Sequence, residues 1–149
     1  MQHRAVIGLG SNKGNREFYL KFSIRLMEWE VGRVVQASSV IETPSWGFES
    51  APFLNQVVVV ETAMSPLELL DALQAIERKL GRTQKSTVVD GKPVYHDRTI
   101  DLDILDYDRM SYHDDRLTLP HPHIAEREFV LAPLRELNIN LTDNHEDTL

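Results

Sequence analysis

The chain has 149 residues, of which 42% are hydrophobic and 26% charged, and its formal net charge is −7. These values are typical of one soluble globular domain with its own core, here residues 1–149. Cysteine is absent, which excludes disulfides, thiolate metal sites and a cysteine nucleophile. The acidic balance argues against binding to nucleic acid or to an anionic membrane. Since there is no long apolar run, no signal-peptide pattern and no apolar stripe that needs a partner, we expect a cytoplasmic monomer.

The chain begins with a strand, a turn and a helix. Residues 5–9 are apolar enough for a buried strand, and residues 10–15 predict a turn in which Asn15 can cap the helix that follows. Four apolar side chains then recur at helical spacing and predict one buried stripe: Phe18, Phe22, Leu26 and Trp29.

Three glycines, Gly8, Gly10 and Gly14, lie close together ahead of this helix. Their spacing matches neither the Walker A loop nor the dinucleotide-binding fingerprint. The predicted role is therefore a tight strand-to-helix turn that needs positive φ.

Two further strands follow. Residues 34–41 alternate loosely, and residues 54–61 contain an unbroken valine run, which predicts a central strand covered on both faces. The loop between them, residues 43–53, carries three aromatic side chains. Two interpretations stay open: the rings cap the core, or they form a flat slot for an aromatic ligand. For such a ligand, Asn55 offers a paired donor and acceptor to the edge of a heterocycle.

The second helix has a clear start. Residues 65–68 form a capping box with proline at the first helical position, and the helix is predicted to run to Leu80 and end at Gly81. Gln74 and Glu77 stand three residues apart on one face, where solvated polar residues are the usual case.

The connection after this helix, residues 82–97, is long for a compact domain, which is typical of a lid or a binding loop. Its basic side chains suit a mobile lid over residues 83–97 that closes on phosphates. Within it, residues 88–95 can fold as a hairpin over Asp90-Gly91. A disordered surface loop is the alternative interpretation.

The next strand, residues 98–105, alternates aliphatic and polar residues. The aliphatic side chains are predicted to point into the core: Ile100, Leu102 and Ile104. Asp101 and Asp103 then share the opposite face, with Cα atoms about 7 Å apart, close enough for both carboxylates to hold one hard cation. Basic side chains nearby make this a candidate magnesium-nucleotide site.

Beyond this strand the chain is turn-like, then helical over residues 124–137, and ends in an acidic tail, residues 138–149, that we expect to be loosely held. The predicted order βαββαβ indicates an α+β domain of the ferredoxin-like type. In this fold the helices pack on an antiparallel sheet, here with C-terminal additions.

Several segments together resemble the 6-hydroxymethyl-7,8-dihydropterin pyrophosphokinase family of folate biosynthesis. The matching segments are Gly8-Leu9-Gly10-Ser11-Asn12, Thr43-Pro44, Phe53-Leu54-Asn55, Ile76-Glu77 with Gly81-Arg82, residues 98–104, Leu119-Pro120-His121-Pro122, and Arg127 with Phe129-Val130-Leu131 and Pro133-Leu134. The run R-T-I-D-L-D-I followed by L-P-H-P is the specific part of the resemblance.

The resemblance implies an ATP-dependent pyrophosphokinase that transfers the pyrophosphoryl group of ATP to the substrate hydroxymethyl and releases AMP. It implies that Asp101 and Asp103 hold two Mg²⁺ ions and that Arg82 and Arg98 share the catalytic work. The implied ATP-binding residues are Gln74, Glu77, Arg82, Arg98, Ile104, Arg116, Thr118, His121 and Arg127. The implied pterin-binding residues are Thr43, Pro44, Trp46, Phe53, Asn55, Asp101 and Phe129, with the ring stacked between the two phenylalanines.

Two alternatives remain. His121 and His123 could join the aspartates in a transition-metal hydrolase site, although Pro122 stands between the two histidines. The domain could also be a non-catalytic ferredoxin-like module that binds a nucleotide or a pterin.

Overall fold

The computed structural model describes residues 2–44, 51–81, 86–89, 92–95 and 99–141, with the backbone alone for residues 86–89 and 92–95. The strands are β1 (His3–Ser11), β2 (Gly32–Ala37), β3 (Ile41–Thr43), β4 (Phe53–Thr62), β5 (Ser86–Val89), β6 (Lys92–Tyr95), β7 (Asp101–Tyr107), β8 (Tyr112–His113) and β9 (Thr118–Leu119). The helices are α1 (Arg16–Glu30), α2 (Pro66–Lys79) and α3 (Glu128–Glu136), with a 3-10 turn at Ile124–Glu126. Among these helices, none combines the length and the apolar character of a membrane span.

The main sheet has the order β2-β4-β1-β7, with β3 also paired to β4, and its strands pair antiparallel. This is the strand order that the βαββαβ arrangement produces, and the predicted α+β, ferredoxin-like class is confirmed. β1 and β4 lie at the centre, whereas β7 lies at one end of the sheet and pairs with β1 along one edge only.

Each face of the sheet is covered by its own apolar cluster. The larger cluster lies between the sheet and helices α1 and α2, and it includes Val58 and Val60. The smaller cluster joins Val57 and Val59 to α3 and the chain that follows it. Alternate valines of one strand thus enter two cores, which confirms the prediction of a central strand covered on both faces.

Helix α1 buries only part of the predicted stripe, since Leu26 is buried and Phe22 packs against the larger cluster. Asn15 caps it as expected, with its side chain accepting from the Phe18 N–H. Phe18 and Trp29, however, are 48% and 71% exposed. Leu20, Ser23 and Met27 are buried together with Leu26. The sequence contains two overlapping apolar faces, and the docking of the helix on the sheet decides between them.

Helix α2 begins and ends as predicted. Ser65 and Glu68 complete the reciprocal capping box, and Gly81 follows the helix with φ +97°. The prediction for the earlier glycines is right only for Gly14, which has φ +71°. Gly8 and Gly10 lie inside β1 rather than in a turn.

The remaining elements lie after α2. β5 and β6 pair antiparallel from Ser86 opposite Tyr95 to Val89 opposite Lys92, as predicted for the hairpin, while its turn residues 90–91 lie outside the described residues. At the other end of the chain, Leu141 is buried in the smaller cluster. The rest of the predicted acidic tail, residues 142–149, lies outside the described residues.

Candidate active site

A cavity of about 340 Å³ opens over one end of the sheet, on the face that carries α3. Nine of the side chains selected from the sequence line it: Thr43, Pro44, Phe53, Asn55, Asp101, Asp103, His121, Arg127 and Phe129. They come from β3, β4, β7 and the chain around α3, so residues far apart in sequence converge on one concave surface. Such a cavity, mainly apolar with a few convergent polar groups, is typical of a small-molecule site.

The two aspartates lie side by side on the floor of this cavity. Asp101 is paired with Gly10 of β1, and Asp103 with Gly8, so each carboxylate has a residue without a side chain beside it. The aliphatic residues that alternate with them are buried in the larger cluster: Ile100, Leu102 and Ile104. The alternation predicted from the sequence is confirmed, and two half-buried carboxylates face one open volume.

One wall of the cavity combines an aromatic ring with a buried amide. Asn55 is 5% exposed, and its Nδ2 donates to Thr43 Oγ1 at 2.7 Å, which fixes the orientation of the amide. Its Oδ1 lies beside Gly10, where a Cβ would be 3.4 Å from both this oxygen and the Phe53 ring. Phe53, half-buried, therefore stands next to an oriented donor and acceptor pair, an arrangement that suits a flat polar heterocycle.

Another part of the lining carries positive and imidazole groups. The Arg127 guanidinium lies 5.7 Å from the centre of the Phe129 ring, which is within cation–π distance. His121 is tied to β7, since its N–H donates to the Leu105 carbonyl at 2.9 Å. Its Nδ1 lies 3.2 Å from the backbone N of His123 and accepts that proton. A neutral His121 must then carry its own proton on Nε2, so the ring is a hydrogen-bond donor at that atom.

The other residues implied for ATP that the structure describes lie in or beside β7 and α2, outside the lining of the cavity. Arg116 Nη2 donates to Asp71 Oδ1 at 2.6 Å and lies 3.4 Å from Gln74 Oε1. Thr118 lies on β9, with its hydroxyl 2.8 Å from the His113 ring. Ile104 is 3% exposed and its side chain belongs to the core, so only its backbone can reach a ligand.

The loop that holds Arg116 is organised by Asp114. The Asp114 carboxylate accepts from the backbone N–H groups of Arg116 and Leu117 at 2.8 and 2.9 Å. The Tyr112 hydroxyl also donates to it at 2.6 Å. These bonds, first that from Tyr112 and then that from Arg116, lower the pKa of Asp114 below its ordinary value. The ionised carboxylate thereby keeps the turn before β9 in one conformation.

Glu77 differs from the prediction that it is a solvated residue. It is 5% exposed, and its Oε2 accepts the backbone N–H of Leu102 at 2.8 Å. The signal for burial was present in the sequence, because Glu77 follows Leu73 by four residues and stands between Ile76 and Leu80 on the apolar side of the helix.

Three of the implied residues lie outside the described part of the chain: Trp46, Arg82 and Arg98. The cavity also has lining residues that were not assigned to a site from the sequence: Gly8, Gly10, Leu105 and Val130. His123, which the hydrolase alternative named, lines it as well. The two glycines could have been found from the pattern of β1, since they fall on its second face, alternating with the buried Ile7 and Leu9.

Residues 6–139 match the family model described as 7,8-dihydro-6-hydroxymethylpterin-pyrophosphokinase (HPPK). The chain belongs to the HPPK family. This confirms the resemblance found in the sequence and identifies the protein as an enzyme, so the alternative of a non-catalytic ferredoxin-like module is wrong.

Named relatives agree with this HPPK assignment. The chain is 44% identical over 133 residues to the 2-amino-4-hydroxy-6-hydroxymethyldihydropteridine pyrophosphokinase of Porphyromonas gingivalis, covering 88% of each chain. It is 42% identical over 139 residues to the Bacillus subtilis pyrophosphokinase, covering 92% of this chain and 79% of that one. It is also 41% identical to a mitochondrial folate synthesis bifunctional protein of Arabidopsis thaliana, of which it spans 25%.

A solved structure shares the fold of this HPPK. An HPPK-DHPS of Plasmodium falciparum matches with a TM-score of 0.75 and 16% identity, covering 99% of this chain and 44% of that one. At this identity the likeness concerns the fold alone. It agrees with the α+β topology described above.

Proposed function

We propose that this HPPK transfers the pyrophosphoryl group of ATP to the hydroxymethyl group of 6-hydroxymethyl-7,8-dihydropterin, a reaction of folate biosynthesis, and releases AMP. Membership of the family supports the pyrophosphoryl transfer and the pterin acceptor. The observation that carries the proposal for the site is the pair Asp101 and Asp103 on the floor of a cavity whose wall holds Phe53 and Asn55.

In this reaction the hydroxymethyl oxygen of the pterin attacks the β-phosphorus of ATP. The bond from that phosphorus to the oxygen bridging it to the α-phosphorus breaks, and the bridging oxygen leaves with AMP. The hydroxyl proton passes to solvent. Because transfer of a phosphoryl-type group has a loose transition state, positioning and neutralisation of charge supply most of the acceleration.

Asp101 and Asp103 would hold Mg²⁺, and we propose two ions. The residues fit this ion, because both carboxylates offer hard oxygen ligands on one face of a strand. The described residues include no group of three or more His, Cys, Asp or Glu placed to hold a metal ion, so phosphate oxygens and water would supply the other ligands. When bound, Mg²⁺ supplies charge neutralisation at the phosphates and at the attacking hydroxyl.

The pterin would lie flat in the slot beside β1, between Phe53 and Phe129. Asn55, held by Thr43, would read the edge of the heterocycle through its oriented amide. Pro44 and Trp46 would complete this side through the backbone of their loop, and Asp101 would lie below the hydroxymethyl group. The proposal thus uses the aromatic residues as a ligand slot rather than as a cap on the core.

The triphosphate would lie along the other wall, against His121 and Arg127. His121 would donate from Nε2, and the guanidinium of Arg127 would contact phosphate oxygens. Arg82 and Arg98 are assigned to the same anionic group by the family resemblance. These cations neutralise charge that builds up on the leaving AMP as the bond breaks.

The nucleoside would lie at the outer edge of β7, beyond the cavity. Here the proposed contacts are the side chains of Gln74, Arg116 and Thr118 and the backbone of Ile104, with Glu77 beneath them. An edge strand suits this role, because its outward N–H and C=O groups can bond to the edge of a purine. The composition supports two further proposals, that the enzyme acts as a monomer in the cytoplasm and that it binds neither nucleic acid nor membrane.

The test compares Asp101→Asn and Asp103→Asn with Asp108→Asn, measuring AMP release from ATP, Mg²⁺ and the pterin. Asp108 is a matched control, because asparagine tolerates its backbone φ of +53° and can still accept from the Arg4 N–H. We expect each cavity variant to lose about 100-fold or more of the rate, with wild-type thermal unfolding, and the control to stay active. A fully active cavity variant, or ADP as the product, would contradict the proposal.

A further inference from the structure

Glu77 is a carboxylate that the fold buries beside the strand of the aspartate pair. It lies on α2, is 5% exposed, and has the core residues Leu73 and Ile76 as helix neighbours. Burying a carboxylate is costly unless hydrogen bonds compensate for the lost water. A carboxylate buried on the inner side of a helix therefore needs a hydrogen-bond donor as its partner.

One partner of Glu77 is the peptide group that joins Asp101 to Leu102. Glu77 Oε2 accepts the Leu102 N–H at 2.8 Å, and this nitrogen belongs to the peptide bond directly after Asp101. This hydrogen bond ties the peptide group to α2. It fixes the plane of this peptide, and with it the direction in which the Asp101 side chain leaves the backbone.

The position of β7 in the sheet explains why the bond between Glu77 and Leu102 matters. β7 pairs with β1 along one edge, and within the described part of the chain no further strand of the main sheet pairs with its other edge. The register with β1 also shifts between Val6 and Ile7, so the pairing is irregular just beyond the aspartates. Glu77 bonds to the outer edge at the step between Asp101 and Asp103, where a strand held on one side is free to twist.

We propose that Glu77 is a positioning residue: by holding the Asp101–Leu102 peptide to α2, it sets the spacing of the two aspartates for divalent cations. This inference rests on the proposed function, because it takes Asp101 and Asp103 as the metal-binding pair. It differs from a role as a nucleotide contact, since Glu77 then acts through the backbone of β7 and not on ATP. Residues that orient metal ligands typically change metal affinity or activity by about 10- to 100-fold when replaced.

Two substitutions at Glu77 distinguish the effect of the length of the side chain from the effect of its charge. Glu77→Gln removes the charge but keeps an oxygen at the same distance, so the bond to Leu102 can form. Glu77→Asp keeps the charge but withdraws the oxygen by one methylene. If Glu77 acts as a positioning residue, Glu77→Asp loses function and Glu77→Gln recovers most of it.

The measurements are the dependence of AMP formation on Mg²⁺, the KM for ATP, and the binding of Mn²⁺ to the full chain with α,β-methylene-ATP. We expect Glu77→Asp to raise the half-saturating metal concentration about 10-fold or more, with a smaller change in the KM for ATP. Thr62→Val is the control for lost stability, because it removes the buried bonds of the Thr62 hydroxyl to Val31 and Met64. We expect it to lower the unfolding temperature without moving the metal dependence.

Other outcomes would overturn the inference. A raised KM for ATP with unchanged metal dependence in both Glu77 variants would make Glu77 a nucleotide contact. A Glu77→Gln variant that is worse than Glu77→Asp would show that charge matters and position does not. Asp103→Asn distinguishes the two proposals: if it binds Mn²⁺ like the wild type, the proposed metal site fails, and if it loses Mn²⁺ while Glu77→Asp does not, only the positioning role fails.

Discussion

Gly10 offers a direct test of where the pterin lies, through the substitution Gly10→Ala. A Cβ at this position would be 3.4 Å from both Asn55 Oδ1 and the Phe53 ring, which is ordinary contact. Since Gly10 is inside β1, alanine in place of glycine would stabilise the strand by roughly 0.5–1 kcal/mol. The fold should therefore accept the methyl group.

The same methyl group would occupy the floor of the slot proposed for the pterin. Forcing an extra methyl into a filled site costs about 1–3 kcal/mol, so we expect the KM for the pterin to rise about 5- to 150-fold. The KM for ATP should stay near its wild-type value, because the triphosphate is assigned to His121 and Arg127, and a Cβ at Gly10 would meet Asn55 and Phe53. The assay is AMP release at saturating ATP with varied pterin, together with a thermal melt.

Gly14→Ala is the matched control, and we expect the opposite pattern. Gly14 has φ +71°, and a Cβ there would be 3.1 Å from the Tyr19 ring, so alanine should lower the unfolding temperature. Because Gly14 does not line the cavity, the KM for the pterin should not change. A Gly10→Ala enzyme that is folded and binds the pterin normally would refute the placement of the ring over β1.

Two further predictions concern a pKa and a tautomer. Hydrogen bonds from the Ser39 hydroxyl and N–H lower the pKa of Glu136. The free energy of unfolding that these bonds add is therefore complete above the pKa of the unfolded chain, about 4.3. It is lost as the pH falls through the lower pKa of the folded protein. In urea denaturation, the free energy of unfolding should thus be higher for the wild type than for Glu136→Gln at neutral pH, and equal for both in acid. A difference that does not change with pH would contradict this. For His121, nitrogen NMR of the neutral ring should find the proton on Nε2, and His121→Gln should keep more AMP-forming activity than His121→Phe. A proton on Nδ1 of the neutral His121 ring would contradict this prediction, because Nδ1 could then not accept the hydrogen bond from the His123 N–H.

Features of the fold that depend on near neighbours in the chain were predictable from the amino-acid order. The alternation around Asp101 and Asp103 fixed which side chains face the core, because successive residues of a strand point to opposite faces. The capping box at Ser65 fixed the start of α2, because its two bonds join residues three apart. The valine run indicated a central strand for the same local reason.

Which of several compatible faces is buried depended on contacts between distant parts of the chain. Phe18 and Trp29 match a helical stripe as well as the residues that α1 actually buries, and the way the helix docks on the sheet excludes them. Gly8 and Gly10 became the open floor of a cavity only through their pairing with the aspartate strand. Glu77 was assigned to a solvated face until its bond to Leu102 defined its partner. In each case the deciding contact joins residues far apart in the chain, and no local spacing encodes the position of a distant partner.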